Sequence, residues 1–345
     1  MRVRLEDVCE KESSKLKQSD VIDQNGLYPV YGASGYLGSI NTYQQSNYYV
    51  AVVKDGAGIG RTMLLPPKSS IIGTMQYLIP KDNVHPEYLY YVVKAKHLEK
   101  YFSGATIPHI YFKDYKNEQF DLVSFEKQRD IINRLKKIEI IIDSLSKILV
   151  LLDELVRARF VEMFGDPIEN QKDWEVVKIR DIVTDVRYGT SKPAVEGGRY
   201  PYLRMNNLTV DGGLDLSDLK YIDIPDNEIE KCVVRKGDIL FNRTNSIDLI
   251  GKTAVFNLLD DMVIAGYIIR IRLNNQILPD VFSQYMNLEA MKKVLRGMAK
   301  GAVNQANINA QELQSIKVYV PDMKLQKQYV EFKEEIDKSQ FVLHQ

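Results

Sequence analysis

The longest regular pattern of apolar positions lies between Ser124 and Pro167. Its members are spaced alternately four and three residues apart: Ile131, Leu135, Ile138, Ile142, Leu145, Leu149, Leu152 and Val156. This heptad spacing predicts one long helix that buries these residues in a coiled coil. Ser124 is a suitable N-cap, and Gly165 with Pro167 is a stop signal. Roughly 40 residues at about 1.5 Å each give about 60 Å, which favours a spacer over a helix lying on one domain's core.

A second pattern of the same kind closes the chain, with Asp322 in the N-cap position. It has the same spacing at Leu325, Tyr329, Phe332, Ile336, Ser339 and Leu343. We expect residues 126–164 and 323–343 to pair as antiparallel helices with their heptad faces in contact. The second helix would contribute Tyr329, Phe332, Ile336 and Leu343 to this interface.

The two helices belong to an internal repeat of the whole chain. Three pairs of segments correspond: Gly104-Ala105 with Gly301-Ala302, Val123-Ser124 with Pro321-Asp322, and Gln128 with Gln326. Residues 3–8 also resemble residues 177–182. The repeat predicts two related globular domains alternating with two helices. The predicted division is 1–122 for the first domain, 123–165 for the central helix, 166–321 for the second domain and 322–345 for the short second helix.

Each predicted domain mixes strand-like and helix-like patterns, so we expect an α+β fold. In the first domain, residues 48–53 form a β-type run, a Gly-rich turn starting at Asp55-Gly56 follows, and residues 86–101 have helical period. In the second domain, residues 202–204, 238–241 and 263–273 are strand-like and residues 281–295 are helix-like.

Composition excludes several classes of protein. A hydrophobic content of 45% and a charged content of 27% are typical of globular protein. The sequence has no run of about 18 apolar residues, and its N-terminus is charged from Arg2, which predicts a cytoplasmic chain without membrane span or signal peptide. Cys9 and Cys232 are isolated, so buried thiols are expected rather than a disulfide or zinc site.

The charged residues give evidence both against and for nucleic-acid binding. Lys plus Arg equals Asp plus Glu at 46 each, which argues mildly against nucleic-acid binding. Residues 235–300 nevertheless carry ten basic and six acidic side chains, consistent with a basic face on a neutral protein.

Motifs for catalysis or cofactor binding are incomplete. Residues 56–61 lack the third Gly of a dinucleotide fingerprint, and Gly251-Lys252-Thr253 lacks the first Gly of a P-loop. The four histidines are not at metal-ligand spacing, and no nucleophile elbow occurs. We therefore expect a binding protein without cofactor, metal or catalytic residues.

Residues suited to DNA contact cluster in the loops of both domains. Arg and Asn can pair with the edges of guanine and adenine, whereas Lys, Ser and Thr suit phosphates. The candidates are Lys54, Arg61, Tyr188, Thr190, Lys192, Arg204, Asn206, Asn207, Arg243, Thr244, Asn245 and Lys252.

The whole chain resembles the specificity (S) subunit of type I restriction-modification systems. The resemblance lies in residues 28–32, in residues 237–243 with 250–253, in residues 160–167 leading to Trp174, and in the paired segments before each long helix. It implies two target-recognition domains, two long helices forming an antiparallel coiled coil, and pseudo-twofold placement of the domains on double-stranded DNA. It also implies two modification (methyltransferase) subunits and restriction (translocase-nuclease) subunits as partners. Adenine methylation would belong to the modification subunit.

The sequence departs from the repeat at its end. An offset of 198 residues from Phe164 places the end of the second helix near position 362, beyond Gln345. We therefore expect incomplete pairing of the central helix, which leaves an end free for a partner subunit or a second S chain.

Two other functions are compatible with parts of the sequence. One is a fused restriction enzyme, whose motifs are not found, and the other is a coiled-coil scaffold for proteins without DNA specificity, which the balanced charge favours. The recognised bases, their spacing and the loop residues that contact them do not follow from the sequence.

Overall fold

The computed structural model describes residues 1–22, 24–103, 108–302 and 305–344. The chain divides into two compact units, Met1–Asp143 and Ser144–Gln345. The boundary falls inside the longest helix, so that helix contributes to both units. The four-part division expected from the sequence, with helices as separate segments, stays a prediction.

In residues 1–22, 24–103 and 108–143, the first unit contains nine strands and three short helices, and the long helix begins in it. The strands are β1 (Arg2–Arg4), β2 (Cys9–Ser13), β3 (Tyr28–Gly32), β4 (Gly35–Ile40), β5 (Tyr49–Val53), β6 (Thr62–Leu65), β7 (Ser70–Ile71), β8 (Met75–Pro80) and β9 (Gln119–Asp121). The helices are α1 (Leu5–Val8), α2 (Pro86–Lys94), α3 (Phe112–Tyr115) and α4 (Phe125–Phe164). The main sheet is antiparallel in the order β2-β8-β5-β6. All five residues of β5 are buried, as the β-branched and aromatic run of a central strand requires.

The second unit contains the remaining strands and helices. The strands are β10 (Glu175–Lys178), β11 (Val183–Tyr188), β12 (Tyr200–Leu203), β13 (Lys220–Ile222), β14 (Val233–Val234), β15 (Ile239–Asn242), β16 (Thr244–Asn245), β17 (Thr253–Val255), β18 (Met262–Ile264), β19 (Ile268–Leu273), β20 (Lys300–Ala302), β21 (Gln305–Asn307) and β22 (Lys317–Val320). The helices are α5 (Asp226–Cys232), α6 (Pro279–Asn287), α7 (Glu289–Met298), α8 (Ala310–Ser315) and α9 (Met323–His344). Its main sheet has the order β11-β19-β15-β17 and is also antiparallel.

The topology of the two units repeats. In the first, β3 pairs antiparallel with β4 and parallel with β7; in the second, β12 pairs antiparallel with β13 and parallel with β18. In each unit a two-stranded ribbon joins the segment before the main sheet to the segment before α4 or α9, β1 with β9 and β10 with β22. Each unit therefore has the α+β fold predicted from the sequence. The shared topology of the two units is the predicted internal repeat.

The two helices α2 and α6 are shorter than their patterns predict. The expected helix over 86–101 ends at Lys94 because His97 adopts a left-handed conformation at φ 50°. The expected helix over 281–295 is broken at Leu288, which is extended and packs into the core between α6 and α7. Both cysteines are buried and unpaired, as expected, and burial raises the pKa of Cys9 to about 12.

The long helix α4 begins and ends where the sequence predicts. Ser124 Oγ accepts a hydrogen bond from Lys127 N at 3.4 Å, and Gly165 follows the helix at φ 85°. In the first unit, Ile132 of α4 is buried in the core. In the second unit, Phe160 and Phe164 are buried in the core.

Within the second unit, α9 packs on the C-terminal part of α4. The Tyr329 ring lies 5.3 Å from Phe160 and 5.6 Å from Phe164, measured between ring centroids. A further contact between the two helices is the hydrogen bond that Gln340 Nε2 donates to Asp153 Oδ1 at 2.7 Å. Moving forward along α9 moves backward along α4, so these segments run antiparallel.

Two members of the predicted heptad seam are not buried. Leu145, Leu149 and Leu152 are half-buried and Val156 is buried, whereas Ile138 and Ile142 are 51% and 58% exposed. The expectation that all eight residues are buried is wrong for these two. The helices differ in length, 40 residues in α4 against 22 in α9, so α9 is too short to cover all of α4.

Candidate nucleic-acid interface

A surface cleft of about 490 Å³ in the second unit collects five of the predicted DNA-contacting residues. They come from the segment after β11, the end of β12 and the junction of β15 with β16. The five are Thr190, Lys192, Arg204, Asn206 and Arg243. Segments far apart in the sequence therefore bring these five polar side chains to one cleft.

Close backbone contact between two segments forms the floor of the cleft. Thr190 N donates to Ile264 O at 2.9 Å, and Gly266 N donates to Thr190 O at 2.7 Å. A Cβ on Gly189 would lie 2.2 Å from the carbonyl oxygen of Ile264, so only glycine fits there. This contact brings the loop after β11 beside the turn between β18 and β19.

Arg243 is held in the cleft by neutral groups. Its guanidinium lies 4.9 Å from the centroid of the Tyr188 ring, and its Nη2 donates to Asn307 Oδ1 at 3.0 Å. A longer contact joins its Nη1 to Gly266 O at 3.4 Å. The Tyr188 hydroxyl in turn accepts a hydrogen bond from Ala310 N at 2.8 Å. No carboxylate forms an ion pair with Arg243 in the ranges that the structure describes, so its positive charge is not neutralised locally.

The two other basic residues of the cleft already have acidic partners. Arg204 Nη2 lies 2.7 Å from Asp218 Oδ2, and Lys192 Nζ lies 2.9 Å from Glu228 Oε2. Such pairs lower the net charge that the side chains present to an approaching phosphate. Asn206 is exposed beside them.

Three of the predicted DNA-contacting residues are buried instead of exposed. Lys252 is buried with its Nζ donating to the carbonyls of Met205 and Leu208, and burial lowers its pKa. Asn207 is buried, its Oδ1 accepting from Arg204 N at 2.8 Å. Thr244 is buried in β16. The expectation that these three are loop residues open to DNA is wrong, since all three are buried and the polar groups of Lys252 and Asn207 bond to the backbone.

Asn245 has a mixed position. It is half-buried, its Nδ2 donates to Asn242 Oδ1 at 2.9 Å, and its Oδ1 accepts from Ser246 N at 2.9 Å. These bonds shape the turn after β16. A DNA contact by Asn245 stays a prediction.

The candidates of the first unit are fewer. Lys54 directly follows β5 and is half-buried; its side chain forms no hydrogen bond or ion pair with the residues described in the structure. Arg61 is exposed, and its Nη1 donates to Ala33 O at 2.7 Å. The two side chains remain candidates for contacts to DNA.

Aromatic residues of the cleft were missed by the sequence analysis. Tyr267 is 51% exposed at the turn between β18 and β19, and the Tyr202 hydroxyl donates to Thr190 O at 3.2 Å. The sequence offers one signal for Tyr267. The strand-like run 263–273 has eleven residues, which is too long for one strand, and Gly266 marks the turn that must divide it.

The described ranges contain neither a metal-binding cluster nor a membrane-spanning helix. No group of three or more His, Cys, Asp or Glu side chains there could hold a metal ion. No helix within those ranges is long and apolar enough to cross a membrane.

The sequence was compared with models of protein families. The model described as "Type I restriction modification DNA specificity domain" matches residues 1–153 and 171–345. The chain belongs to this family. The two matches correspond to the two copies of the repeat, and the resemblance stated from the sequence is confirmed.

Two specificity subunits each match about half of this chain. A Methanocaldococcus jannaschii protein, provisionally named the MjaX type I restriction enzyme specificity subunit, is 32% identical over 173 residues, 49% of this chain and 40% of that protein. The EcoKI specificity subunit of Escherichia coli K12 is 25% identical over 158 residues, 45% of this chain and 34% of that protein. The matches thus span less than half the length of these two relatives.

Solved structures support the fold. The S subunit of a type I restriction-modification system from M. genitalium superposes with a TM-score of 0.57 at 15% identity, covering 100% of this chain and 91% of that chain. A chain from a structure of type I system assembly and conformational transition superposes with a TM-score of 0.52 at 16% identity, covering 99% and 91%. These likenesses concern the fold alone.

Proposed function

We propose that this chain reads DNA sequence for a type I restriction-modification complex and performs no catalytic step itself. The observation that carries the proposal is the cleft of the second unit, where Arg243 retains an unneutralised guanidinium beside Tyr188 and Tyr267. Arginine with free donors is the side chain suited to acceptors on a guanine edge.

The target is bipartite and asymmetric. The two units share their topology, but the loops around Tyr188–Lys192 and Arg204–Asn207 have no sequence counterpart in the first unit. Unlike loops on a shared framework would read unlike bases. Two half-sites about one turn of DNA apart, roughly 34 Å, let both units contact the same side of the duplex.

The long helices form an antiparallel coiled coil. The antiparallel contacts of α4 with α9 support this arrangement. The same framework positions two modification subunits, which transfer the methyl group to adenine, and the restriction subunits, which translocate and cut.

A second candidate is a non-catalytic coiled-coil scaffold that binds proteins without DNA specificity. The equal numbers of basic and acidic residues, 46 each, favour it. The two functions differ in one measurable respect, because only the first makes the methylated sequence depend on residues of this chain.

The test is to co-express the chain with its modification subunits and to map methylated sites across the host genome. We expect a motif of two short half-sites of unlike sequence separated by unread base pairs. Exchanging residues 170–320 for the equivalent domain of another S subunit should change one half-site and preserve the other and the spacing.

The isolated chain is the control, and it should neither methylate nor cut DNA. A continuous palindromic motif, or an exchange that alters both half-sites together, would exclude independent reading by the two units. Methylation that is identical with and without this chain would favour the scaffold.

A further inference from the structure

Lys54 and Arg243 occupy the same backbone position in the two units. Lys54 follows β5 and Arg243 follows β15, each the third strand in the order of its four-stranded sheet. Lys54 N donates to Thr74 O at 3.0 Å, and Arg243 N donates to Tyr267 O at 2.9 Å. Their carbonyls accept from Ile110 N and Ile308 N, each at 2.9 Å.

The surrounding turns are equivalent as well. Gly73 N donates to Leu16 O at 2.7 Å in the first unit, and Gly266 N donates to Thr190 O at 2.7 Å in the second. Both contacts join the loop after the first strand of the main sheet to the turn that precedes its second strand. Each basic residue therefore emerges at the same point of the same framework.

The two side chains also share an electrostatic state. Neither Lys54 nor Arg243 forms an ion pair within the residues that the structure describes, although Arg204 and Lys192 beside Arg243 do. A half-buried cation without a carboxylate retains its full attraction for an anion or a hydrogen-bond acceptor.

Resting on the proposed function, we propose that Lys54 and Arg243 are the equivalent base-contacting residues of the two half-sites. Each donates to acceptors on a guanine edge in the major groove. The position is shared by the two units, and the residue type differs between them.

The geometry of Arg243 supports a two-point contact. A guanidinium has five N–H donors, and Arg243 commits one to Asn307 Oδ1 and one to Gly266 O. Its Nε is buried without a partner, which leaves one N–H on each Nη atom for an external acceptor pair. Stacking on Tyr188 fixes the plane of the fork.

Lys54 has a flexible stem and a point charge, so its contact is less directional. The second half-site should therefore contain one guanine that is strongly required, and the first should contain one position with a milder guanine preference. Exchanging the residue types should exchange these degrees of selectivity.

The experiment uses the complex of the full chain with its modification subunits. Arg243→Ala, Arg243→Lys, Lys54→Ala and Lys54→Arg are compared by mapping methylated sites and by titrating duplexes that carry each single base replacement. Arg243→Ala should lower discrimination at one position of the second half-site about 5- to 150-fold, with the first half-site unchanged. Lys54→Ala should act only on the first half-site.

Arg199 gives a matched control, because it stacks on Tyr200 at the same 4.9 Å distance but is paired with Asp226 outside the cleft. Arg199→Ala should leave both half-sites unchanged. Arg243→Lys keeps the charge and should still lose part of the selectivity, which separates the effect from misfolding; the melting temperature of each variant is recorded.

Two outcomes would overturn the inference while the proposed function stands. One is a wild-type bipartite motif that no Lys54 or Arg243 variant alters. The other is weakening that is equal for all sequences, with a reduced salt dependence, which identifies phosphate contacts instead. Absence of any bipartite motif with the wild-type complex would contradict the proposed function itself.

Discussion

Gln128 and Gln326 make the same three hydrogen bonds in the two units. The Oε1 atoms accept at 2.8 Å from His85 N and from Leu278 N, the residues that precede α2 and α6. The Nε2 atoms donate to the carbonyls of Val123 and Pro321, and to those of Asn83 and Gln276. Both side chains are fully buried. The start of each long helix is thereby tied to the start of a second helix that begins with proline.

Replacing Gln326 by Ala should lower the free energy of unfolding by about 1 to 3 kcal/mol, because the amide of Leu278 would be buried without an acceptor. Urea denaturation of the full chain measures this. Gln328→Ala is the control, since Gln328 is exposed on the same helix. Equal stability of the two variants would mean that water replaces the lost acceptor.

The packing of α9 on α4 depends on Tyr329. Tyr329→Ala removes a buried ring from contact with Phe160 and Phe164 and should cost about 3 to 5 kcal/mol, as large-to-small changes in cores do. Leu151→Ala, in the part of α4 that belongs to the second unit, should cost much less, because Leu151 is 60% exposed. Thermal unfolding followed by circular dichroism compares them; similar losses would show that α9 does not depend on this cluster.

Lys292 should make stability depend on pH. Its Nζ donates to Gly251 O at 2.6 Å and to Asn287 Oδ1 at 2.8 Å, and burial lowers its pKa to about 7. Between pH 7 and about 10 the unfolded chain binds one more proton than the folded chain, so stability rises with pH by up to about 1.4 kcal/mol per unit. Below pH 7 both states are protonated and this contribution is constant.

The measurement for Lys292 is the difference in unfolding free energy between wild type and Lys292→Met from pH 6 to pH 9. The variant should lose the rise that Lys292 causes. Lys293→Met, at the exposed neighbouring position, should retain it. If the unfolding free energies of wild type and Lys292→Met change with pH in parallel, the Lys292 ammonium is in contact with solvent.

Gly189 should be irreplaceable in the cleft. A Cβ there meets the carbonyl oxygen of Ile264, so Gly189→Ala should cost about 1 to 3 kcal/mol and disturb the loop that carries Thr190 and Lys192. We expect reading of the second half-site to weaken and that of the first to persist. Gly297→Ala is the control, because nothing lies within 4 Å of its Cβ position in α7 and alanine favours helix. Methylation mapping and melting temperatures report both effects.

Periodicity predicted α4 well because a heptad pattern with caps is a local property of the sequence. It could not reveal that Ile138 and Ile142 are exposed, because spacing identifies a buried face without telling how far a partner helix extends. The broken helix at Leu288 was missed for a similar reason: tertiary packing places Leu288 in the core in an extended conformation.

The candidate site was predicted in part. Residue type and loop position brought forward Arg243 and four neighbours that the fold collects in one cleft. The same criteria selected Lys252 and Asn207, whose polar groups bond to buried backbone, because a polar side chain in a loop looks the same in sequence whether it faces water or a carbonyl. The equivalence of Lys54 with Arg243 needed the hydrogen-bond pattern, since their flanking residues differ.

The two-stranded ribbons have a consequence for how such genes change. The N-terminal amine donates to Leu122 O at 3.0 Å. Arg2 lies opposite Asp121 in the antiparallel ladder of β1 and β9, and Glu175 lies opposite Val320 in that of β10 and β22. The backbone thus enters and leaves the sheet-containing part of each unit through adjacent strands, as in domains that tolerate insertion or circular permutation. Recombination with crossover points inside two such strands would deliver a complete cassette whose ends already meet, so a new specificity can arise in one event without a new junction having to be refined.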